Sequence, residues 1–167
     1  MKKTKQLALS AMLAAMYFVL SAMLKIPVAG HITLDLGYVA LTVAAVYLGA
    51  VPAMLVGGVG AFLSSAFMTQ RGVSPGWIAM NVITGLACGY VLPKASEKGR
   101  KAFLLSAFAV VPSSMLVGAA AKLLIDCAMY HLPILLKIPT TATAWLLDSA
   151  VMLVLGLPLS LALKKRL

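Results

Sequence analysis

The chain is a succession of long apolar runs, broken by short polar loops, with its basic residues gathered between particular runs. A helix needs about 20 apolar residues to cross a hydrocarbon core about 30 Å thick, because each residue advances about 1.5 Å. Six runs approach that length, at about 7–24, 34–51, 52–68, 77–92, 102–130 and 141–163. Inside lipid each backbone N–H and C=O has to be satisfied within the segment, so such runs fold as helices. The sequence predicts an all-α integral membrane protein: one domain over residues 1–167 with six transmembrane helices.

Composition excludes the main alternatives. Of the 167 residues 62% are hydrophobic and 11% charged, with four acidic side chains. A soluble domain would be about a quarter charged. The formal charge of +10 offers no soluble basic face to a nucleic acid, and positive-inside retention explains it better. The first run is longer than a cleaved signal's core and is followed at once by further membrane segments, so it reads as a retained helix. Cys88 and Cys127 fall toward opposite membrane faces, which argues against a disulfide, and the chain shows no metal-ligand spacing.

The basic residues fix the expected orientation. Ten of the fourteen lie in three clusters: Lys2, Lys3 and Lys5; Lys94, Lys98, Arg100 and Lys101; Lys164, Lys165 and Arg166. Four crossings separate the first cluster from the second, and two separate the second from the third, so all share a side. The other side receives Lys25, Arg71 and Lys137, one per loop. Both termini are expected in the cytoplasm. Gly49-Ala50-Val51-Pro52 forms a tight inner turn, and the outer loops are expected at Lys25 to Thr33, Thr69 to Gly76 and His131 to Thr140. Pro112 is expected to kink the fifth helix.

Ionisable groups inside the membrane are costly and face a cavity or a partner. Lys122, Asp126 and Asp148 qualify, at depths of about 30, 36 and 22 Å from the inner ends of their helices. Helical spacing adds faces. Lys122, Asp126 and Tyr130 form one stripe; Thr141, Trp145, Asp148 and Met152 a second; Trp77, Asn81, Thr84 and Cys88 a third. Aromatic rings on these stripes suit stacking on a planar heterocycle, with carboxylates and an amide reading its edge. Plainer readings stand beside this one. Lys122 and Asp126 have the spacing to pair with each other, Trp77 and Trp145 that of interface-belt residues, and Asn81 that of a cross-helix bond. Small side chains mark helix contacts: Gly57, Gly58, Gly60 and Ala61 in the third helix, and Ala8, Ala11, Ala14 and Ala15 in the first, where the stripe is placed either for internal packing or for another protein.

Ala11-xxx-Ala15 in the first of six helices, followed by ITLDLGYVALTVAAVYLGAVPAMLVGGVGAF and SPGWIAMNVITGLACGYVL between Ile32 and Leu92, resembles the substrate-binding S component of an energy-coupling factor (ECF) vitamin transporter of the folate or riboflavin type. A Gly-Pro turn common there is interrupted here by Ala50 and Val51. The resemblance implies a prokaryotic cell-membrane subunit that captures a vitamin outside. It also implies docking through Ala11 and Ala15 onto a membrane coupling protein served by two cytoplasmic ATPases, which use the ATP. The first outer loop would be a lid, bringing His31, Asp35 and Tyr38 to the substrate. This chain has no Gly-x-x-x-x-Gly-Lys-Ser/Thr loop and no cofactor motif of its own. Two acids against one lysine favour a pterin, flavin or deazaguanine-like ligand over a simple carboxylate. A stand-alone secondary transporter lacks the expected internal repeats, and a membrane enzyme lacks a nucleophile-base pair or a metal set.

Overall fold

A computed structural model describes residues 3–23, 26–29, 32–68, 72–131 and 133–164. His31 lies outside the described residues, as do Lys2, Lys25, Arg71, Lys165 and Arg166. The fold is a helical membrane bundle with one short β-hairpin. Its elements are α1 (Lys3–Met23), a hairpin of β1 (Ile26–Ala29) and β2 (Ile32–Leu34), α2 (Gly37–Leu48), α3 (Ala50–Met68), α4 (Pro75–Glu97), α5 (Arg100–Tyr130), α6 (Ile134–Val151), a π-helical segment (Met152–Gly156) and α7 (Leu157–Lys164). Five stretches are long and apolar enough to cross a membrane, the last running through α6, the π segment and α7; α2 is a shorter apolar helix. With α2 they make a bundle of six helical stretches, five of them long enough to span.

The short helix sits at the centre. α2 touches α1, α3, α4, α6, the π segment and α7, while α4 lies between α3 and α5. Eight of its twelve residues are buried, so its length is set by neighbours rather than by lipid. Gly49, at φ 88°, ends α2 in a conformation that glycine adopts freely, and its carbonyl accepts the N–H of Ala53 at 3.1 Å to start α3. α4 comes close to this turn because Gly89 has no side chain: a Cβ there would lie 2.7 Å from Ala50 Cα. α1 is two-faced. Ser10, Ala14, Tyr17 and Ser21 are buried, whereas Leu7, Met12, Met16 and Val19 are exposed.

Four local expectations are corrected. The first outer loop contains an antiparallel β-hairpin, with Ile26 opposite Leu34 and a register shift between Pro27 and Ala29. Its strands are short and one contains proline, so no period-2 pattern announces them. The second helix begins at Gly37 rather than 34, because β2 and a turn at Asp35 and Leu36 take the preceding residues. α4 continues past 92 through Pro93 to Glu97. α6 starts at Ile134, so the expected loop from His131 to Thr140 is mostly helix, with Pro133 as N-cap and Pro139 inside. An apolar stretch at membrane depth has to bond its own backbone, and that demand outweighs one interior proline.

The last crossing carries the second irregularity. The N–H of Leu157 bonds to the carbonyl of Met152, five residues back, which defines the π turn. Pro158 follows and has no N–H to continue an α-helical ladder. The widened turn seats Gly156 on α2, where a Cβ would come within 2.5 Å of Thr42 Oγ1.

Candidate functional site: a roofed polar cluster

One end of the bundle gathers the α4–α5 turn, the N-terminus of α1 and the C-terminus of α7, and with them the described basic clusters. The other end carries the hairpin and three of the four acidic residues: Asp35, Asp126 and Asp148. There the helices enclose a polar cluster.

The cluster starts on α1, at a residue outside the three polar stripes read from the sequence. Tyr17 is fully buried and its Oη donates to Asn81 Oδ1 on α4 at 2.9 Å. Gly60 makes room for the ring: a Cβ there would be 2.5 Å from Tyr17 Cδ1. Tyr17 meets Tyr38 edge to face, with centroids 6.1 Å apart and planes at 70°. Asn81 Nδ2 donates to the Trp77 carbonyl at 2.9 Å. An amide has two donors and two acceptor lone pairs, so one N–H and one lone pair stay unused by these bonds.

Asp35 closes the hairpin onto the helices. Its Oδ1 accepts the N–H of Gly37 at 2.8 Å, and its Oδ2 accepts Ser21 Oγ at 3.0 Å. The carboxylate thus lies at the N-terminus of α2, where the helix dipole favours negative charge. Asp148, 7% exposed on α6, neighbours Asp35, Lys122 and Tyr38 electrostatically, and the backbone N–H of Asp35 is directed to it. β2 packs on α6 here.

Tyr38 occupies the middle. Its Oη is buried beside Asp148, Trp77 and Asn81, yet has no hydrogen bond of good geometry among the described residues. A buried hydroxyl left unpaired costs about 1–3 kcal/mol.

Lys122 and Asp126 take the plainer of their two expected arrangements. They pair with each other at 3.7 Å, and Asp126 sits against Gly76 in the first turn of α4, where a Cβ would collide with Oδ1. Tyr130 is exposed and donates to the Val73 carbonyl at 3.3 Å, away from Tyr38 and Asp148. Trp145 Nε1 donates to the carbonyl of Pro112 at 2.9 Å, which binds α6 to α5 rather than leaving the indole edge free. Ala11 and Ala15 are exposed, on the face of α1 turned away from Tyr17. Tyr17 and Ser21 did have a signal: with Ser10 they make a polar stripe on α1 on a different face from Ala11 and Ala15.

The cluster is packed shut, with Tyr17, Tyr38 and Asn81 all at 0% exposure. A cavity of about 650 Å³ lies instead at the basic end, lined by Val46, Phe103, Leu157 and their neighbours.

Such a bundle, with a short hairpin packed on α6 beside a buried polar cluster, is that of a helical membrane protein. The chain belongs to the ECF-type riboflavin transporter S component family, whose sequence model matches residues 1–165. No curated protein matches it in sequence. Its fold is similar to the crystal structure of the S component for biotin from an ECF-type ABC transporter, with a TM-score of 0.72, 15% identity, and coverage of 98% of this chain and 93% of that one.

Proposed function

We propose that this chain is the substrate-capture subunit of an ECF importer and binds a planar, hydrogen-bonding vitamin, a flavin first among them, at the cluster around Tyr38. The observation that carries this reading is the buried Tyr38 hydroxyl, which has no hydrogen bond of good geometry among the described residues although Asp148, Trp77 and the half-used amide of Asn81 stand beside it. Two tyrosines and Trp77 supply faces for stacking. Asp148 and Asn81 read ring N–H and carbonyl groups. Asp35, Asp126 and Asp148 outnumber Lys122, which disfavours an anionic ligand and suits a donor-rich edge. Asp126 holds Lys122 in place rather than touching the ligand, and Trp145 and Tyr130 brace the surrounding helices.

The basic end faces the cytoplasm by the positive-inside rule, so the hairpin end faces outward. Release of Asp35 from Ser21 and Asp148 would lift the hairpin and admit the ligand. The subunit does no chemistry and needs no cofactor of its own. A membrane coupling protein docks on the Ala11 and Ala15 face of α1, and two cytoplasmic ATPases drive delivery. The riboflavin-type family and the biotin-type fold support a vitamin as cargo.

The test is mass spectrometry of small molecules released on denaturing the protein purified from cells. A flavin or related heterocycle near one per chain is expected. A purified protein that holds none, and takes up none of a panel of vitamins, would overturn the assignment.

A further inference from the structure

The cavity at the basic end is outside the proposed vitamin site and has its own physical cause. α7 packs on α2 and on the π segment, but its backbone does not come close to that of α5 among the described residues. Tyr47 Oη holds it there by donating to the Ser160 carbonyl at 2.7 Å. The π turn and Pro158 direct α7 toward α2, and a crevice of about 650 Å³ opens between α7 and α5. Its walls are Phe103, Leu104, Phe108, Leu153 and Leu161, and Arg100 and Ser96 stand at its rim. Its largely apolar walls suit hydrocarbon better than water.

We infer that this crevice is a binding site for an anionic phospholipid, one acyl chain lying between α5 and α7 and the phosphate meeting Arg100. Charge complementarity selects this occupant. The turn beside the crevice carries Lys98, Arg100 and Lys101 against one acid, Glu97. Arg100 and Lys101 also occupy the first turn of α5, whose N-cap Gly99 supplies no side-chain cap. Cations there oppose the helix dipole, and an anionic headgroup relieves both. Basic pockets between helices at an anionic leaflet select such lipids. Lys94 does not belong to the site: its Nζ lies 3.6 Å over the Tyr90 ring, beside a separate shallow groove.

Native mass spectrometry of the protein released from nanodiscs of equal phosphatidylglycerol and phosphatidylcholine tests this. One retained phosphatidylglycerol is expected, in preference to phosphatidylcholine. Arg100→Gln should lower its retention about fivefold, and Lys94→Gln, an equal charge change, less than twofold. Ala162→Trp, which fills the crevice from an exposed position, should abolish retention with every cation intact. Equal retention of the two lipids, equal loss in both charge variants, or full retention in Ala162→Trp would each overturn the inference. So would a coupling-protein helix crosslinked at Ala162→Cys in place of lipid. None of these readouts depends on the vitamin.

Discussion

The hydroxyl of Tyr17 donates to the side-chain carbonyl of Asn81 at 2.9 Å, joining the first helix to the fourth across 64 residues of chain. One side of α1 thus enters the polar cluster while a different face presents Ala11 and Ala15 outward. The helix proposed to meet the coupling protein is the helix that holds Asn81.

Tyr17→Phe keeps the ring against Gly60 and removes this one bond. A loss of about 1 kcal/mol in stability is expected, the usual size of a hydrogen bond between membrane helices. Vitamin affinity should fall several-fold as Asn81 loses its orientation. Thermal unfolding in detergent and a binding titration on the same preparation measure the two effects.

Gly60→Ala tests the packing beneath that bond. The added methyl would lie 2.5 Å from the Tyr17 ring, so the ring or α3 has to shift, at a cost of about 1–3 kcal/mol. The expected result is a lowered Tm together with weakened binding. Gly72→Ala provides a comparison at a site with open space but positive φ, where strain alone acts and binding should be retained.

Ala11→Trp and Ala15→Trp should preserve vitamin binding and block transport. Both positions are exposed, so the bulk meets a partner and not the interior. Co-purification of the coupling protein is the measurement, and its survival in both variants would place the docking face elsewhere.

The sequence carries some of this structure openly and hides the rest. Hydropathy alone locates the crossings, since lipid imposes helix wherever about 20 apolar residues run together. Asn81 and Asp148 stand out because polar groups are expensive at that depth. Tyr17 and Ser21 are less visible: the alanine stripe on the same helix dominates its pattern, and their role depends on Gly60 and Asp35, which are remote in sequence. The hairpin is concealed by Pro27 and by strands of three or four residues. The early start of α6 is masked by Pro133 and Pro139, read as loop markers where backbone satisfaction decides. Trp145 illustrates a further limit, because the carbonyl it bonds belongs to Pro112 on another helix.

The most direct test is a titration of purified protein with riboflavin, followed by quenching of tryptophan fluorescence, in wild type and Asp148→Asn. Trp77 lies beside Tyr38, so a ring bound there quenches it. The account predicts saturable quenching by the wild type and at least about tenfold weaker binding by the variant, about 1.4 kcal/mol, with membrane insertion unchanged. Saturable binding that is identical in Asp148→Asn, or no saturable binding by the wild type, would contradict it.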